Sequence, residues 1–195
     1  MWVEPVTLRG RLVLLEPLRD EHREELAAAA SDPAVWRWMT VDGSRAEIFA
    51  RWLDDALEAA AAGTELPFVQ RDARTGAALG STRYLALAPE HRCLEIGYTW
   101  LVRSAWGTGA NAEAKLLLLD HAFERLGCRR VEFKTDARNE RSRAALAALP
   151  AQFEGIHRKK MLVRDGENRD SAWYSVVDDE WPQVRANLRA RLARA

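Results

Sequence analysis

Residues 95–113, EIGYTWLVRSAWGTGANAE, are where residue types and spacing point to chemistry. An alternating, strand-like run passes into a loop holding Gly107-Thr108-Gly109, and the loop passes into a helical sequence. Glycines let a backbone approach a ligand closely. Free N–H groups at a helix start, helped by the helix dipole, bind an anion. A phosphate or pyrophosphate is the natural guest. A tight strand-to-helix turn explains a lone G-x-G equally well, and the spacing leaves both readings open. The dinucleotide fingerprint G-x-G-x-x-G is not met, because position 112 is Ala and no early βαβ unit precedes it. The absence of G-K-[ST] here excludes a Walker loop.

The surrounding pattern defines the elements that must hold this loop. Residues 12–17 read as a strand closed by proline. Asp20 suits the N-cap of a helix over 21–30, and Asp32-Pro33 repeats the signal before a short turn carrying Trp36 and Trp38. Ser44 and Glu47 form a capping-box pattern ahead of a helix whose stripe is Ile48, Trp52, Ala56 and Ala60, ended by Gly63. Strands are predicted over 66–70 and 78–86, joined by the turn Arg74-Thr75-Gly76. In a fourth strand, 93–101, Leu94, Ile96, Tyr98 and Trp100 share one face, and Glu95, Gly97 and Thr99 the other. A helix over 111–126 stops at Gly127, and a strand covers 130–135. Asn139 caps a helix to Leu149, and Pro150 ends it. Strands 153–163 and 171–177 flank the turn Asp165-Gly166. Asp178 and Asp179 open a last helix with Arg189, Arg191 and Arg194 at its favourable C-terminal end. The order β-α-α-β-β-β-α-β-α-β-β-α is mixed α/β without repeats or linkers, so residues 1–195 read as one domain.

Composition narrows the function classes. The chain has 195 residues with 29 basic and 29 acidic side chains, so it lacks the surplus charge of a nucleic-acid binder or a polybasic membrane anchor. Its longest apolar runs fall short of the ~20 residues of a membrane helix. No signal-peptide run opens the sequence, and a cytoplasmic protein is expected. Cys93 and Cys128 have neither zinc nor disulfide spacing, so they read as reduced, buried thiols and no metal is expected.

In this order the motifs resemble the GCN5-related N-acetyltransferases, and within them the subgroup like ribosomal-protein N-terminal acetyltransferases (RimJ/RimL-like). The resemblance spans nearly the whole chain. It rests on Leu8-Arg9-Gly10-Arg11, Leu15-Glu16-Pro17-Leu18, Asp32-Pro33 with Trp36, and Glu95-Ile96-Gly97-Tyr98. It continues through Trp106-Gly107-Thr108-Gly109 with Glu113-Ala114, Asn139-Glu140-Arg141-Ser142, and Glu154-Gly155 with Arg158. The fold it implies is a mixed, mostly antiparallel central sheet with a splayed strand pair and flanking helices. Acetyl-CoA is the implied donor, with its pyrophosphate on the backbone of Trp106, Gly107, Thr108, Gly109, Ala110 and Asn111. The pantetheine would pair with the free edge of the splayed strand, at Tyr98, Trp100, Leu101 and Val102. Asn139 matches the asparagine that contacts the CoA arm, and it is also a helix cap.

Three positions depart from the family pattern. Ser104 replaces the usual Gln or Arg, removing a side-chain phosphate contact but not the backbone cradle. Leu146 replaces the tyrosine that often protonates the leaving thiolate. Leu149-Pro150-Ala151 replaces the common Leu-Gly-Phe helix stop.

An amine must be neutral to attack a thioester, and a free amine is mostly protonated at neutral pH. Glu95 is the candidate base, directly or through water; the other reading is a solvated strand glutamate. A backbone N–H near Leu101 is the expected oxyanion donor. Ser142 is the candidate acid left by Leu146; otherwise it is a second cap residue. Trp36 and Trp38 are the candidate acceptor-binding residues, since both cannot point inward from a short turn. Trp52, on the apolar stripe, reads as core. The expected reaction is direct transfer of acetyl to a primary amine, a protein N-terminus or a small molecule. The alternative is a non-catalytic acyl-CoA-binding regulatory module on the same scaffold. The late hairpin leaves an edge strand that a homodimer would cover, unless the last helix covers it.

Overall fold

Behind one additional two-residue strand, strands and helices follow one another in the expected order in a computed structural model that describes residues 2–164 and 166–194. The strands are β1 (Leu8–Arg9), β2 (Val13–Pro17), β3 (Leu66–Asp72), β4 (Ala78–Ala88), β5 (Cys93–Leu101), β6 (Arg130–Asp136), β7 (Gln152–Val163) and β8 (Glu167–Val177). The helices are α1 (Arg23–Ala29), α2 (Ala46–Ala61), α3 (Ala110–Glu124), α4 (Glu140–Ala148) and α5 (Trp181–Leu192). One sheet runs β1-β2-β3-β4-β5-β6-β8-β7. Every neighbouring pair is antiparallel except β5 and β6. That parallel pair is joined only from Cys93–Arg130 to Glu95–Glu132, and beyond Glu95 the two strands part. The splayed pair is therefore present, and it opens toward the loop before α3.

Two apolar clusters lie on opposite faces of the sheet. Leu15, Phe68, Tyr84, Leu94, Ile96 and Phe133 pack under Ala114 and Leu118 of α3, Leu146 of α4 and Leu188 of α5. Leu26 of α1 and Phe49, Trp52 and Leu53 of α2 pack with Trp36, Val69 and Trp100 on the other side. Side chains alternate along a strand, so Trp100 should share the face of Leu94 and Ile96. It does not. Tyr98 takes a positive φ of 48°, and the β4–β5 register shifts between Ser81–Trp100 and Arg83–Gly97. This bulge adds a residue and reverses the alternation. Thr99 is thereby turned toward α3, where its Oγ1 accepts from Lys115 Nζ at 2.9 Å. The single-face reading of 93–101 is corrected at that point.

Other expectations are corrected at helix starts. Asp20 pairs with Arg23 at 2.7 Å instead of capping, and a 3₁₀ turn over Asp20–His22 precedes α1. Ser44 Oγ is bound by Asp42 at 2.6 Å, so α2 begins behind Arg45 with no capping side chain. The last helix begins at Trp181, behind Glu180 rather than behind Asp178 or Asp179. Asp32 does cap its turn, accepting from the Ala34 N–H at 2.9 Å. Of the predicted turn Asp165-Gly166, Asp165 lies outside the described residues. Cys128 is buried, but Cys93 is only half-buried.

Candidate active site

The loop after β5 is a 3₁₀ turn, Arg103–Ala105, followed by Gly107 at φ 78° and Gly109 at φ 88°, directly before α3. Both angles lie in the left-handed region, where glycine is at no steric disadvantage. A Cβ at Gly107 would meet nothing within 4 Å, so open space faces the backbone there. No side chain caps α3. The N–H groups of Gly107, Thr108, Gly109 and Asn111 have no acceptor among the described residues. Asn111 Oδ1 is buried beside them without a partner. A helix start left with orphan donors is an anion site.

Two predicted contributors are already engaged, the N–H groups of Trp106 and of Ala110, the latter donating to Thr108 Oγ1 at 3.4 Å. The Trp106 N–H donates to Arg103 O at 3.0 Å, so the cradle starts one residue later, at Gly107. The Trp106 indole folds back: Nε1 donates to Leu101 O at 2.8 Å, and the Arg141 guanidinium lies 3.4 Å from the ring centroid. That stack ties the start of α4 to the loop.

The free edge of β5 is shorter than predicted. Val102 has both backbone groups engaged, its N–H with Leu79 O at 2.7 Å and its carbonyl with the Ala105 N–H at 3.0 Å. The Leu101 carbonyl is taken by Trp106. What faces the gap to β6 is the backbone of residues 96–100. Trp100 contributes backbone only, because its indole is buried in the second cluster. Tyr98 is half-buried, with the Arg83 guanidinium 4.5 Å from its ring centroid and 4.5 Å from that of Trp52. Asn139 caps α4, its Oδ1 accepting from the Ser142 N–H at 3.1 Å. Ser142 is half-buried beside it.

Glu95 is not the solvated strand glutamate of the bland reading. It is 2% exposed and bonds Lys134 Nζ at 2.8 Å. Burial pushes its carboxyl above the usual range, and the Lys134 ammonium opposes that. Gly97 makes room for it, since a Cβ there would lie 2.8 Å from Glu95 Oε1. On the α3 side, Lys115 is buried in the same splayed region, and burial lowers its ammonium pKa to about 7. Sequence reasoning missed Lys115, which sits at an ordinary helix position and gains meaning only from the bulge that brings Thr99 to it.

The two candidate tryptophans separate. Trp36 is 1% exposed, donates Nε1 to Ala30 O at 2.8 Å and lies 5.2 Å from Trp100, centroid to centroid. It is core, and its assignment to an acceptor pocket is corrected. Trp38 is half-buried, with Arg37 and Arg138 over its ring at 5.0 and 5.3 Å. Among the described residues no acidic, His or Cys cluster could hold a metal ion. None of the described helices is long and apolar enough to cross a membrane.

The family model of the acetyltransferase (GNAT) domain matches residues 11–151. The chain is 28% identical over 181 residues to the uncharacterized N-acetyltransferase YoaA of Bacillus subtilis (strain 168), covering 89% of this chain and 97% of that one. The crystal structure of a GCN5-related N-acetyltransferase from Brucella melitensis superposes with a TM-score of 0.89 at 32% identity, covering 97% of this chain and 86% of that one. Mycobacterium smegmatis RimJ in complex with CoA-disulfide superposes with a TM-score of 0.80 at 27% identity, covering 96% of this chain and 95% of that one. The chain belongs to the GNAT acetyltransferase family and is an acetyltransferase.

Proposed function

We propose that this enzyme transfers the acetyl group of acetyl-CoA directly to the nitrogen of a primary amine, in the manner of the RimJ/RimL-like subgroup. One observation carries the reading: the β5–β6 splay lies beside an uncapped α3 whose orphan N–H groups face open space at Gly107. Bound acetyl-CoA supplies an activated acyl group on a good leaving thiol. Its pyrophosphate would be held by the N–H groups of Gly107, Thr108, Gly109 and Asn111 and its pantetheine by the backbone of residues 96–100. Asn139 and Ser142 stand at the start of α4, which the Arg141–Trp106 stack ties to the loop.

Glu95 holds the proton released when the amine attacks, directly or through water. As the C–N bond forms and the C–S bond breaks, the thiolate needs only a hydrogen-bond donor, because its intrinsic pKa is about 8.5. Ser142 fills that role; Leu146 is buried in the core and supplies none. Trp38 borders the acceptor side.

Gly109→Asp places a carboxylate on the cradle and forces a β-carbon into a φ of 88°. Loss of CoA binding in calorimetry, with the fold retained by circular dichroism, is the expected result. Undiminished CoA binding would move the site elsewhere. Thiol release with a panel of amines separates transfer from mere acyl-CoA binding, for which Leu146 and Ser104 are the arguments.

A further inference from the structure

Arg169 of β8 is 6% exposed, yet its side chain makes no hydrogen bond or ion pair among the described residues, and its Nε is a buried donor without a partner. A buried guanidinium left unpaired is costly, since its hydration is lost and nothing replaces it. Most other buried charges near it are matched. Glu95 is paired with Lys134, Arg83 with Glu65 at 2.9 Å, and Asp136 with Arg138 at 2.8 Å.

The register places this side chain. Asp136, the last residue of β6, pairs with Ser171 of β8. Arg169, two residues further along the same face, therefore lies past the end of β6, where the splay is open. Its charge is felt there by Asp136, Glu95 and Tyr98. Ser171, next on that face, is fully buried with an unpartnered Oγ. Trp173 follows, with Lys134 Nζ 5.4 Å from its ring centroid. This face is opposite the one that carries α3 and α4, and Lys134, paired with Trp173, joins it to Glu95. The tip of the β7–β8 hairpin closes it, as the Arg164 N–H donates to Thr40 O at 3.1 Å, beside Trp38.

We infer that the acceptor is an amine that also carries an anionic group, a carboxylate or a phosphate, bound by the Arg169 guanidinium and the Ser171 hydroxyl while the amine lies toward Glu95. The inference rests on the acetyl-transfer reading. It adds that a buried guanidinium without an ion-pair partner among the described residues selects an anion, and its fork suits both oxyanion types.

Matched primary amines bearing a carboxylate, a phosphate or a neutral amide at the same position test it on the acetyl-CoA-loaded enzyme. Calorimetry with CoA in place of acetyl-CoA reads binding without turnover, and thiol release from acetyl-CoA reads turnover. The expected result is at least a tenfold preference in Kd and in kcat/KM for one anionic form over the amide; the stronger arm identifies carboxylate or phosphate. Arg169→Gln should bring that ratio close to one, with the change carried by KM, and leave Tm unchanged or higher because an unpaired buried charge is gone. Three outcomes overturn the inference: equal binding of anionic and neutral amines by the parent, an unaltered ratio in the variant, or a lower Tm with equal losses on all acceptors. Absence of thiol release with every amine would instead defeat the acetyl-transfer reading, and anion binding in calorimetry would still decide the role of Arg169.

Discussion

Two buried groups at the splay have protonation states set by their surroundings. Glu95 is held between burial, which raises its pKa, and Lys134, which lowers it. A carboxyl raised by burial and tied to an ammonium is placed to take a proton from an amine. Glu95→Gln is expected to slow acetylation more at about pH 6.5 than at about pH 9, where the amine needs less help. A pH–rate profile parallel to the parent's would leave Glu95 a structural role only. Lys115 makes a stability prediction. Its pKa is about 7 in the folded protein against 10.5 for an ordinary solvated lysine, so between those values the unfolded chain binds the extra proton. Stability therefore rises with pH across that window, and the burial penalty is full below it. Lys115→Met should stabilise the protein more at about pH 6.5 than at about pH 10, by a difference on the order of 4 kcal/mol, readable by urea unfolding at the two pH values.

Among the elements, α3 does more than present its N-terminus. Glu113, on its first turn, is 6% exposed and accepts the N–H groups of Arg11, Leu12 and Val13 at 3.0, 2.6 and 2.8 Å. The close approach requires glycine at position 10, where a Cβ would lie 2.3 Å from Glu113 Oε2. One carboxylate thus fixes the entry of β2 against the helix that carries the cradle. Glu113→Ala should cost about 2 kcal/mol, since one buried donor, Val13 N–H, and two part-buried ones lose their acceptor. Denaturant unfolding measures it, and a loss under about 0.5 kcal/mol would mean that water replaces the carboxylate there. The bulge at Tyr98 acts at the same scale. It lets one strand feed Ile96 to the α3 side and Trp100 to the α1–α2 side.

For the whole molecule the open question is the sheet edge. β7 is the outer strand, and α5 does not cover it: α5 packs against α3, with Trp181 stacked on Phe123 at 5.3 Å. Phe153, Ile156 and Leu162 are 41%, 39% and 71% exposed along that strand. His157, Arg158, Lys159 and Lys160 interrupt them, and charge is a common guard of a free edge. Pairing of β7 with a twofold mate is the expected arrangement. Light scattering at low micromolar concentration should then give twice 22.0 kDa; the single mass would show that the charged residues keep the edge unpaired.

Much of this was readable from local pattern. The order of elements, the limits of β5, the Gly107-Thr108-Gly109 turn and the Asn139 cap are all consequences of residues within a few positions of one another. Turn preference, alternation and capping are local effects, so the sequence by itself determined them. The two-residue strand β1 was not visible, because nothing but its pairing with β2 makes it a strand. The face of Trp100, the burial of Trp36, the pairing of Glu95 with Lys134 and the lack of a partner for Arg169 among the described residues were decided by tertiary structure alone. Each depends on which distant segment arrives opposite, and Glu95 and Lys134 are 39 positions apart. Burial and charge pairing are properties of that encounter, and no spacing within one strand encodes them.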